Sequence, residues 1–460
     1  MPLLDTLRDL LGPAHVLTGP EAVAAGFGRD WTGHYDWVPA GLVRPGSTAE
    51  VAAVLRACAG AGVPVVPVGG HTGLNGGTAA PGALMLSLAR MNRIREINAP
   101  AQTLTAEAGV ILETLHAAAE AHDLIFPLTF GAKGSAMVGG FLSTNAGGSN
   151  VIRYGSARAL CLGLEVVLAD GRVMDLMSGL RKDNTGFDLR DLMIGAEGTL
   201  GVITAAVLRL APRPRAYATA LLGMAGLGAA LDLLNAVQAG TGGAVEAFEF
   251  MPAAYMARLA RAKPDLACPF AAQPVNILLE TATTIPDEDP SARLEGLLAE
   301  AMERGTLTEA VIARSEAQRR KLWAMREAAA EITFTTANIV DCDVALPLDR
   351  LAGFLAAMTP RLAARDPDAE ELSIAHLGDG NIHYTAYPSR DDPALRAAIR
   401  ADICELAVSM GGSFSAEHGV GLSKRATMAA LKDPAALATM RAIKAALDPA
   451  GLLNPGKVLP

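Results

Sequence analysis

The sequence predicts an α+β fold, and three features of the chain lead to this expectation. In the N-terminal half, residues 47–50 (Ser-Thr-Ala-Glu) form a capping box before a helical stretch over 51–59, which a β-rich run follows. Beyond 211–215 (Ala-Pro-Arg-Pro-Arg), Ala- and Leu-rich segments alternate with short strands such as 275–279. Near residue 380, β-prone residues flank a Gly-Asp-Gly-Asn core, which is typical of an antiparallel hairpin. We therefore expect α+β regions on both sides of a boundary at 211–215.

The first functional signal is a glycine loop that follows the first predicted strand. The strand covers 63–68 and leads directly into 69–77, where glycine recurs. Such a loop exposes backbone amides and lets the chain approach a pyrophosphate closely. It is not a Rossmann fingerprint, because no helix follows the glycines at the required place, and no Gly-Lys-Ser/Thr of a Walker loop is present.

Two more glycine-rich stretches cover 131–148 and 195–204, and a β-like run over 163–168 lies between them. A single glycine loop is weak evidence, because turns and bulges use glycine constantly. Three such loops within about 140 residues are better explained by one long ligand laid along the backbone. The sequence therefore predicts a dinucleotide or a flavin here, and plain turns are the alternative.

The predicted hairpin carries a histidine on each strand, His376 and His383. The midpoint between them falls in the turn, so we expect the two imidazoles to be directly opposed on one face. A later segment, 415–421, places Glu417 and His418 side by side. Two histidines, one carboxylate and a spare histidine match an open catalytic metal site rather than a closed structural one. The alternative is that these are surface or hydrogen-bonded histidines without a metal.

Composition narrows the classes of function. The 460 residues, half of them hydrophobic, suggest two or three domains, or one large two-lobed enzyme. The net charge of −9 without a basic stripe argues against nucleic acid as a partner. Five scattered cysteines without a Cys-x-x-Cys pair indicate a reducing, cytoplasmic compartment. The N-terminus lacks a signal pattern and no run of about 18 apolar residues occurs, so no transmembrane span is expected.

Nine motifs in the chain carry a family resemblance. They are P-V-G-G-H-T-G, G-S-A-M-V-G-G, T-N-A-G-G, R-Y-G-S, L-R-K-D-N-T-G-F-D-L, G-A-E-G-T-L-G-V-I-T, H-L-G-D-G-N-I-H, S-A-E-H-G-V-G and L-N-P-G-K. In this order they resemble the FAD-linked dehydrogenases of the vanillyl-alcohol-oxidase (PCMH) type, in the D-2-hydroxyacid dehydrogenase branch. That branch includes D-2-hydroxyglutarate and D-lactate dehydrogenases. The resemblance covers nearly the whole chain.

The resemblance implies a domain organisation. A PCMH-type FAD-binding domain of two α+β subdomains would cover 1–212. An α+β cap domain with an antiparallel sheet would cover 213–410 and bind the substrate. The segment 411–460 would carry Glu417 and His418 and return to the flavin.

The same resemblance assigns residues to FAD. The pyrophosphate would be held by Gly69, Gly70, His71, Thr72 and Gly73. The flavin and ribityl chain would be lined by Ser135, Gly139, Thr144, Asn145 and Gly148. Adenine or ribose would contact Gly198, Gly201 and Ile203, and Asn454 would belong to the returning tail. Other branches attach FAD covalently through a histidine after Gly-Gly, but we expect a non-covalent flavin here, because a neutral His71 can simply cap the loop.

The resemblance also gives the reaction. His376, His383 and Glu417 would bind a divalent metal, taken to be zinc, and His418 would be the catalytic base. Oxidising a D-2-hydroxy acid to the 2-oxo acid requires loss of the hydroxyl proton and transfer of a hydride from Cα to flavin N5. A metal on the substrate lowers the hydroxyl pKa, and an adjacent imidazole takes the proton. Arg326 matches the arginine that pairs with the substrate carboxylate; a surface helix arginine is the alternative.

Three positions depart from the hydroxyglutarate members of the family. Their threonine, lysine and asparagine at the distal carboxylate are here Ala330, Asp341 and Thr385. An acid in place of a lysine inverts the local charge and would repel a second carboxylate. The sequence therefore predicts a D-2-hydroxy acid with a neutral, hydroxylated or cationic tail, unless Asp341 is simply solvated.

Competing functions remain open at this stage. A dehydrogenase would pass electrons to an electron-transfer flavoprotein or a quinone, which is what the resemblance suggests, whereas an oxidase would use O2. A non-catalytic flavoprotein subunit is the third possibility, and the retained metal and base residues argue against it. Nicotinamide is not expected, because no second dinucleotide site is visible. The partners expected are a small-molecule D-2-hydroxy acid and, in a homodimer, a second copy of the chain.

Overall fold

A computed structural model gives the fold and describes residues 2–460. The helices of this part of the chain are α1 (Pro2–Leu11), α2 (Gly19–Ala22), α3 (Thr48–Ala61), α4 (Leu112–Glu120), α5 (Val138–Thr144), α6 (Val151–Tyr154), α7 (Ala157–Leu160), α8 (Leu189–Met193), α9 (Leu227–Thr241), α10 (Ala253–Ala262), α11 (Pro290–Glu303), α12 (Glu316–Glu327), α13 (Ala329–Thr333), α14 (Leu351–Arg365), α15 (Pro393–Ser409), α16 (Arg425–Leu431) and α17 (Pro434–Leu447).

The strands of the same residues are β1 (Val16–Thr18), β2 (Gly41–Val43), β3 (Val65–Val68), β4 (Leu84–Ser87), β5 (Ile94–Asn98), β6 (Thr103–Glu107), β7 (Leu124–Ile125), β8 (Cys161–Val167), β9 (Val173–Leu176), β10 (Val202–Arg209), β11 (Ala211–Pro212), β12 (Ala216–Met224), β13 (Val245–Pro252), β14 (Val275–Thr283), β15 (Glu309–Ile312), β16 (Val340–Ala345), β17 (Glu370–His376) and β18 (Asn381–Tyr387). No helix among residues 2–460 is long and apolar enough to cross a membrane.

The chain divides into two compact units. The first unit comprises the chain up to Gly147, Gly155–Arg213 and His418–Pro460, and the second comprises Gly148–Tyr154 and Pro214–Glu417. Within the described residues, the first unit holds a sheet in the order β1-β2-β4-β3 and an antiparallel sheet in the order β5-β6-β10-β8-β9. The predicted α+β class is confirmed in this unit.

A capped helix, α3, leads into the strand that precedes the first glycine loop. Ser47 caps the helix by accepting a hydrogen bond from the amide of Glu50, 3.2 Å away. The helix ends at Gly62, which adopts the left-handed conformation (φ +65°) that favours glycine. β3 follows at once and pairs in parallel with β4, so the loop over 69–77 leaves from the carboxyl end of a buried strand.

The second unit is built on one antiparallel sheet in the order β15-β12-β14-β13-β17-β18-β16, counted over the described residues. One face packs its apolar side chains against α9, α11, α14 and α15. The other face packs Leu221, Leu278 and Ile374 against α10, α12 and α13. The predicted antiparallel cap sheet is therefore confirmed, and its second face carries the polar residues described below.

The hairpin of β17 and β18 differs from its prediction in register. His376 pairs with Asn381, and His383 pairs with Ile374, so the expectation that the two histidines are directly opposed is wrong. The turn is tighter than expected, because the amides of Asp379 and Gly380 both approach the carbonyl of His376, at 3.2 and 3.1 Å. A shift of two residues keeps both histidines on one face. They are diagonal neighbours, with ring centroids 5.6 Å apart.

Candidate active site

Three predicted ligands meet on the polar face of the second unit. Nitrogen or oxygen donor atoms of His376, His383 and Glu417 all lie within 4.8 Å of one another. Nε2 of His383 is 3.5 Å from Oε1 of Glu417. Three donors of this type around one point match the ligand set of an open metal site, in which a fourth position is left for substrate. These residues therefore fit a divalent metal.

A buried carboxylate fixes the orientation of His376. Glu249 on β13 lies opposite His376 in the sheet register, and its Oε1 is 2.9 Å from Nδ1 of the imidazole. With the Nδ1 proton donated to Glu249, Nε2 is the nitrogen that can face a metal. Burial acts to raise the pKa of Glu249, but His376 and Arg326 outweigh it, so the pKa of this carboxyl is lowered. Glu249 therefore stays charged inside the protein.

A second buried acid positions Glu417. Asp343 on β16 faces His383 in the register and is only 2% exposed. Its Oδ2 accepts hydrogen bonds from the amides of Ala416 and Glu417, at 3.2 and 3.1 Å. Its Oδ1 accepts one from the side-chain amide of Asn381, at 2.9 Å. The loop that carries Glu417 is therefore tied to the hairpin through its backbone.

Glu249 and the supporting role of Asp343 were missed by sequence reasoning. Neither lies near the histidines in the chain, and only the sheet brings them together. A signal for Glu249 existed, because β13 (Val-Glu-Ala-Phe-Glu-Phe-Met-Pro) places two acids in an otherwise apolar strand. An acid in such a strand has to be paired, because an isolated buried charge is costly.

Arg326 on α12 belongs to the same cluster. It is 9% exposed, so the alternative of a surface helix arginine is wrong. Its Nε lies 2.9 Å from Oε2 of Glu249. Glu249 therefore connects Arg326 to His376. Because this contact engages Nε, the terminal amino groups of the guanidinium are the ones available to meet another carboxylate.

Two of the three predicted specificity positions meet beside the metal ligands. Asp341 and Thr385 are paired across β16 and β18, two residues along from the pair of Asp343 and His383. The hydroxyl of Thr385 donates to Oδ1 of Asp341 at 2.7 Å. Alternating side chains place this pair on the same face as His383. The third position, Ala330 on α13, is exposed.

The first two glycine loops pack against each other in the first unit. A Cβ built on Gly70 would lie 2.0 Å from the carbonyl oxygen of Ser135, which leaves room only for glycine. The loop over 69–77 therefore approaches the loop over 131–148 backbone to backbone.

The third glycine loop and the C-terminal tail also lie at the carboxyl end of β3. A Cβ on Gly198 would lie 3.2 Å from the ring of Pro67 in β3. The side-chain amide of Asn454 donates to the carbonyls of Gly77 and Glu197, at 3.0 and 2.8 Å. Four segments that are far apart in the sequence therefore converge at the carboxyl end of β3.

Several non-glycine residues of these converging segments have left-handed backbone conformations. Within residues 2–460, positive φ at non-glycine positions includes His71 (58°), Asn145 (52°), Glu197 (51°) and Asn454 (41°). Oδ1 of Asn454 is buried and has no hydrogen-bond partner in the described chain. Strained backbone persists where the surroundings determine it and is common at ligand sites. The strain and the orphaned oxygen fit an FAD laid along these loops.

His71 has both ring nitrogens engaged in the first unit. Nε2 is 2.8 Å from the carbonyl oxygen of Arg29, and Nδ1 is 3.1 Å from the hydroxyl of Thr78. A carbonyl can only accept, so Nε2 carries the proton and Nδ1 accepts from Thr78. The ring also contacts Phe27 and Trp37, with centroids 5.6 and 6.0 Å away.

The remaining positions predicted to contact the cofactor are more dispersed. Gly139 and Thr144 lie in α5, and Ile203 is a buried residue of β10 that follows Gly201. Thr72 and Gly73 complete the first loop, and Gly73 is exposed with no neighbour within 4 Å of a built Cβ. Gly148 belongs to the second unit, in the segment that continues into α6.

The chain matches known families over most of its length. A model described as "FAD binding domain" matches residues 39–177, and one described as "FAD linked oxidases, C-terminal domain" matches residues 213–458. The mitochondrial D-2-hydroxyglutarate dehydrogenase of Bos taurus is 40% identical over 97% of this chain and 82% of its own length. The D-2-hydroxyglutarate dehydrogenase of Stutzerimonas stutzeri is 34% identical over 99% of this chain and 98% of its own.

Solved structures resemble the chain in fold. Substrate-bound p-cresol methylhydroxylase has a TM-score of 0.76 at 16% identity, over 99% of this chain and 96% of its own. The isoeugenol complex of 4-ethylphenol oxidase from Gulosibacter chungangensis has a TM-score of 0.73 at 18% identity, over the same 99% and 96%. At these identities the likeness concerns the fold alone, and it confirms the fold class expected from the sequence.

Proposed function

The chain belongs to the FAD-linked D-2-hydroxyacid dehydrogenases, and from this premise we propose that it oxidises its substrate at a divalent metal held by His376, His383 and Glu417. As a member of this family it is an FAD-dependent oxidoreductase that acts on a CH–OH group, as the sequence predicted. The observation that carries the metal proposal is the ligand cluster on the second unit, together with Glu249, which directs Nε2 of His376. The ligand types suit zinc.

Each side chain of the cluster has a role in this proposal. When bound, FAD accepts the hydride and the metal makes the substrate hydroxyl more acidic. Arg326 pairs with the substrate carboxylate through its terminal amino groups and orients the reacting carbon. His418, the residue after Glu417, takes the hydroxyl proton.

The proposed division of labour follows the predicted domains. Residues 1–212 form the FAD-binding domain, 213–410 the substrate domain, and 411–460 the segment that brings His418 back to the flavin. The convergence of the three glycine loops and Asn454 supports the first of these assignments.

Chelation tests the metal proposal. We expect dye reduction with D-2-hydroxy acids to be lost after dialysis against a chelator and restored by zinc or manganese. L-2-hydroxy acids, assayed in parallel, should remain inactive and serve as the control. Full activity in the metal-free protein would refute the metal role and leave the family membership untouched.

The substrate proposed is a D-2-hydroxy acid whose tail is neutral, hydroxylated or cationic. Thr385 lies two residues beyond His383 on β18, which is about 7 Å along the strand. Asp341 is hydrogen-bonded to it there and is partly exposed on the ligand face. A carboxylate tail at this point would meet the carboxylate of Asp341, whereas a hydroxyl or an ammonium group would be attracted.

The second candidate substrate is D-2-hydroxyglutarate, because the similar proteins carry that name. Comparing kcat/KM for D-lactate, a hydroxylated analogue and D-2-hydroxyglutarate separates the two. The variant Asp341→Lys should move the preference towards the dicarboxylate by at least about tenfold, or 1.4 kcal/mol. Asp349→Lys, a change at an exposed aspartate of the same unit, is the control for charge alone. Unchanged ratios in Asp341→Lys would refute the assignment.

The flavin is proposed to be non-covalent, because both ring nitrogens of His71 already have partners. Acid precipitation should therefore release a yellow supernatant, and a yellow pellet would contradict the proposal.

The electron acceptor proposed is an electron-transfer flavoprotein or a quinone. Peroxide formation at the full rate in air would instead support an oxidase. The cytoplasm is the proposed location, since no disulfide is formed within residues 2–460.

A further inference from the structure

The backbone around His418 is held by a buried asparagine from the first glycine loop. The side-chain amide of Asn75 donates to the carbonyl oxygens of His418 and Gly419, at 2.9 and 2.7 Å. Asn75 is itself fixed, because the hydroxyl of Ser423 donates to its Oδ1 at 2.8 Å and the amide of Leu422 donates to its carbonyl at 2.7 Å. Only 9% of Asn75 is exposed. Both donors of one amide therefore serve the carbonyl groups that begin this turn.

A carboxylate holds the next two residues from the third glycine loop. Oε1 of Glu197 accepts a hydrogen bond from the amide of Val420 at 2.6 Å, and Oε2 accepts one from the amide of Gly421 at 2.8 Å. Burial raises the pKa of this carboxyl, and the two amides act in the opposite direction. Two amide donors and two carboxylate oxygens are thus matched one to one.

The glycines of the turn are packed directly on Asn75 and Glu197. Gly419 has φ +75°, and a Cβ there would lie 2.8 Å from Oε1 of Glu197. Gly421 has φ +51°, and a Cβ there would lie 2.2 Å from the carbonyl oxygen of Asn75. The backbone from 418 to 421 is therefore held at four successive residues and has no room to shift.

We propose that Asn75 and Glu197 are positioning residues for His418, which fix its backbone so that the imidazole is presented in one orientation to the substrate hydroxyl. The proposal rests on the role of His418 as the base. A histidine on an untethered turn of glycines would sample many orientations, because glycine restricts the backbone least. Holding the base in one orientation matters, because a misplacement of about 1 Å can cost about 100-fold in rate.

The test compares Asn75→Ala and Glu197→Gln with the parent enzyme, per bound flavin and with metal added. We expect kcat to fall about 10- to 100-fold in each variant while KM changes little, because the substrate is still bound. Since both residues act through His418, neither change should lower kcat further in a His418→Asn background. A purely structural role would instead give additive losses.

A milder substitution gives a second kinetic readout. Ser423→Ala, which removes only the hydroxyl on Oδ1 of Asn75, should give a smaller loss in kcat and preserves the test if Asn75→Ala does not fold.

Asn276→Ala is the matched control. Asn276 in the second unit is fully buried, and its side-chain amide also donates to two carbonyls, those of Met251 and Gln273 at 3.1 and 2.7 Å. It should lower the unfolding temperature and leave kcat per flavin unchanged. If His418→Asn keeps full activity, the role of His418 as base is refuted. If His418→Asn is impaired but Asn75→Ala and Glu197→Gln keep the parent kcat, or act additively with it, the positioning role is refuted.

Discussion

The two candidate binding regions of this chain are made from different parts of the polypeptide. In the second unit, the side chains of His376 and His383 project from a sheet, Glu417 lies on a loop beside it, and buried acids of the sheet hold His376 and this loop in place. In the first unit, the backbone of three glycine loops converges, and side chains such as Asn454 mainly bind main-chain groups. The difference teaches where each region is vulnerable. The ligand cluster should lose metal binding when a polar atom is removed, and the glycine loops should lose FAD binding when a carbon atom is added.

The largest effect is expected from removing a metal ligand. His383→Ala leaves two donors and should abolish stoichiometric metal binding, with a loss in kcat/KM beyond the roughly 10- to 100-fold that outer partners of a metal site contribute. The flavin content should remain that of the parent, because the cofactor loops are not altered. Metal analysis and the flavin spectrum of the same sample measure both. His122→Ala, at an exposed histidine, is the control. Retained metal in His383→Ala would contradict the ligand assignment.

A smaller effect is expected from changing Glu249, which is hydrogen-bonded to the ligand His376. Glu249→Gln keeps an acceptor for Nδ1 of His376 but removes the negative charge that Arg326 also contacts. Metal affinity should fall by about 10- to 100-fold, measured by competition with a chelator. Glu246→Gln is a close control, because Glu246 lies on the same strand, is 2% exposed and pairs with Arg153 at 2.6 Å. Equal losses of metal affinity in both variants would contradict a specific role for Glu249.

The same comparison explains what could be predicted from the sequence. Turn residues and ligand types are local signals, so the hairpin, its two histidines and the neighbouring Glu417 could be identified before the fold was known. The face shared by the two histidines was predicted correctly, but their direct opposition was not. The register depends on how the turn closes on the carbonyl of His376, which the residue pattern alone does not fix.

The partners of the supporting acids could not be predicted, because the order of strands in the sheet determines which residues meet. Glu249 is 127 positions from His376 in the chain, and Asp343 is 74 positions from Glu417. Nothing local connects such pairs, and only the strand order places β13 and β16 on either side of the hairpin. For the glycine loops, the residue pattern indicated a long ligand. Their convergence could not be predicted, because it depends on contacts such as that of Gly70 with Ser135.

Adding one methyl group tests the glycine loops of the first unit. In Gly70→Ala the new Cβ would lie 2.0 Å from the carbonyl oxygen of Ser135, and a backbone atom cannot move aside as a flexible side chain can. Overpacking of this kind costs typically about 1–3 kcal/mol, so FAD affinity should fall roughly 5- to 150-fold. Gly60→Ala, at an exposed glycine of α3 with nothing within 4 Å of its Cβ, should bind FAD normally. Metal affinity should be unchanged in both variants, and a loss of metal instead of flavin in Gly70→Ala would overturn the separation of the two regions.

The smallest effect is expected in the pH dependence of the free energy of unfolding, and it depends on one histidine of the first unit. His116 on α4 is hydrogen-bonded to the carbonyl of Leu128, and burial lowers its pKa below the ordinary value of 6.5. The unfolded chain therefore takes up a proton at a higher pH than the folded one, so the free energy of unfolding falls as the pH drops below about 6.5. His116→Gln keeps a donor for Leu128 but cannot be protonated. Its stability relative to the parent, measured by denaturant titration, should therefore improve as the pH falls from 7 towards 5. A difference that is constant, or that moves the other way, would show that His116 is not buried in its neutral form.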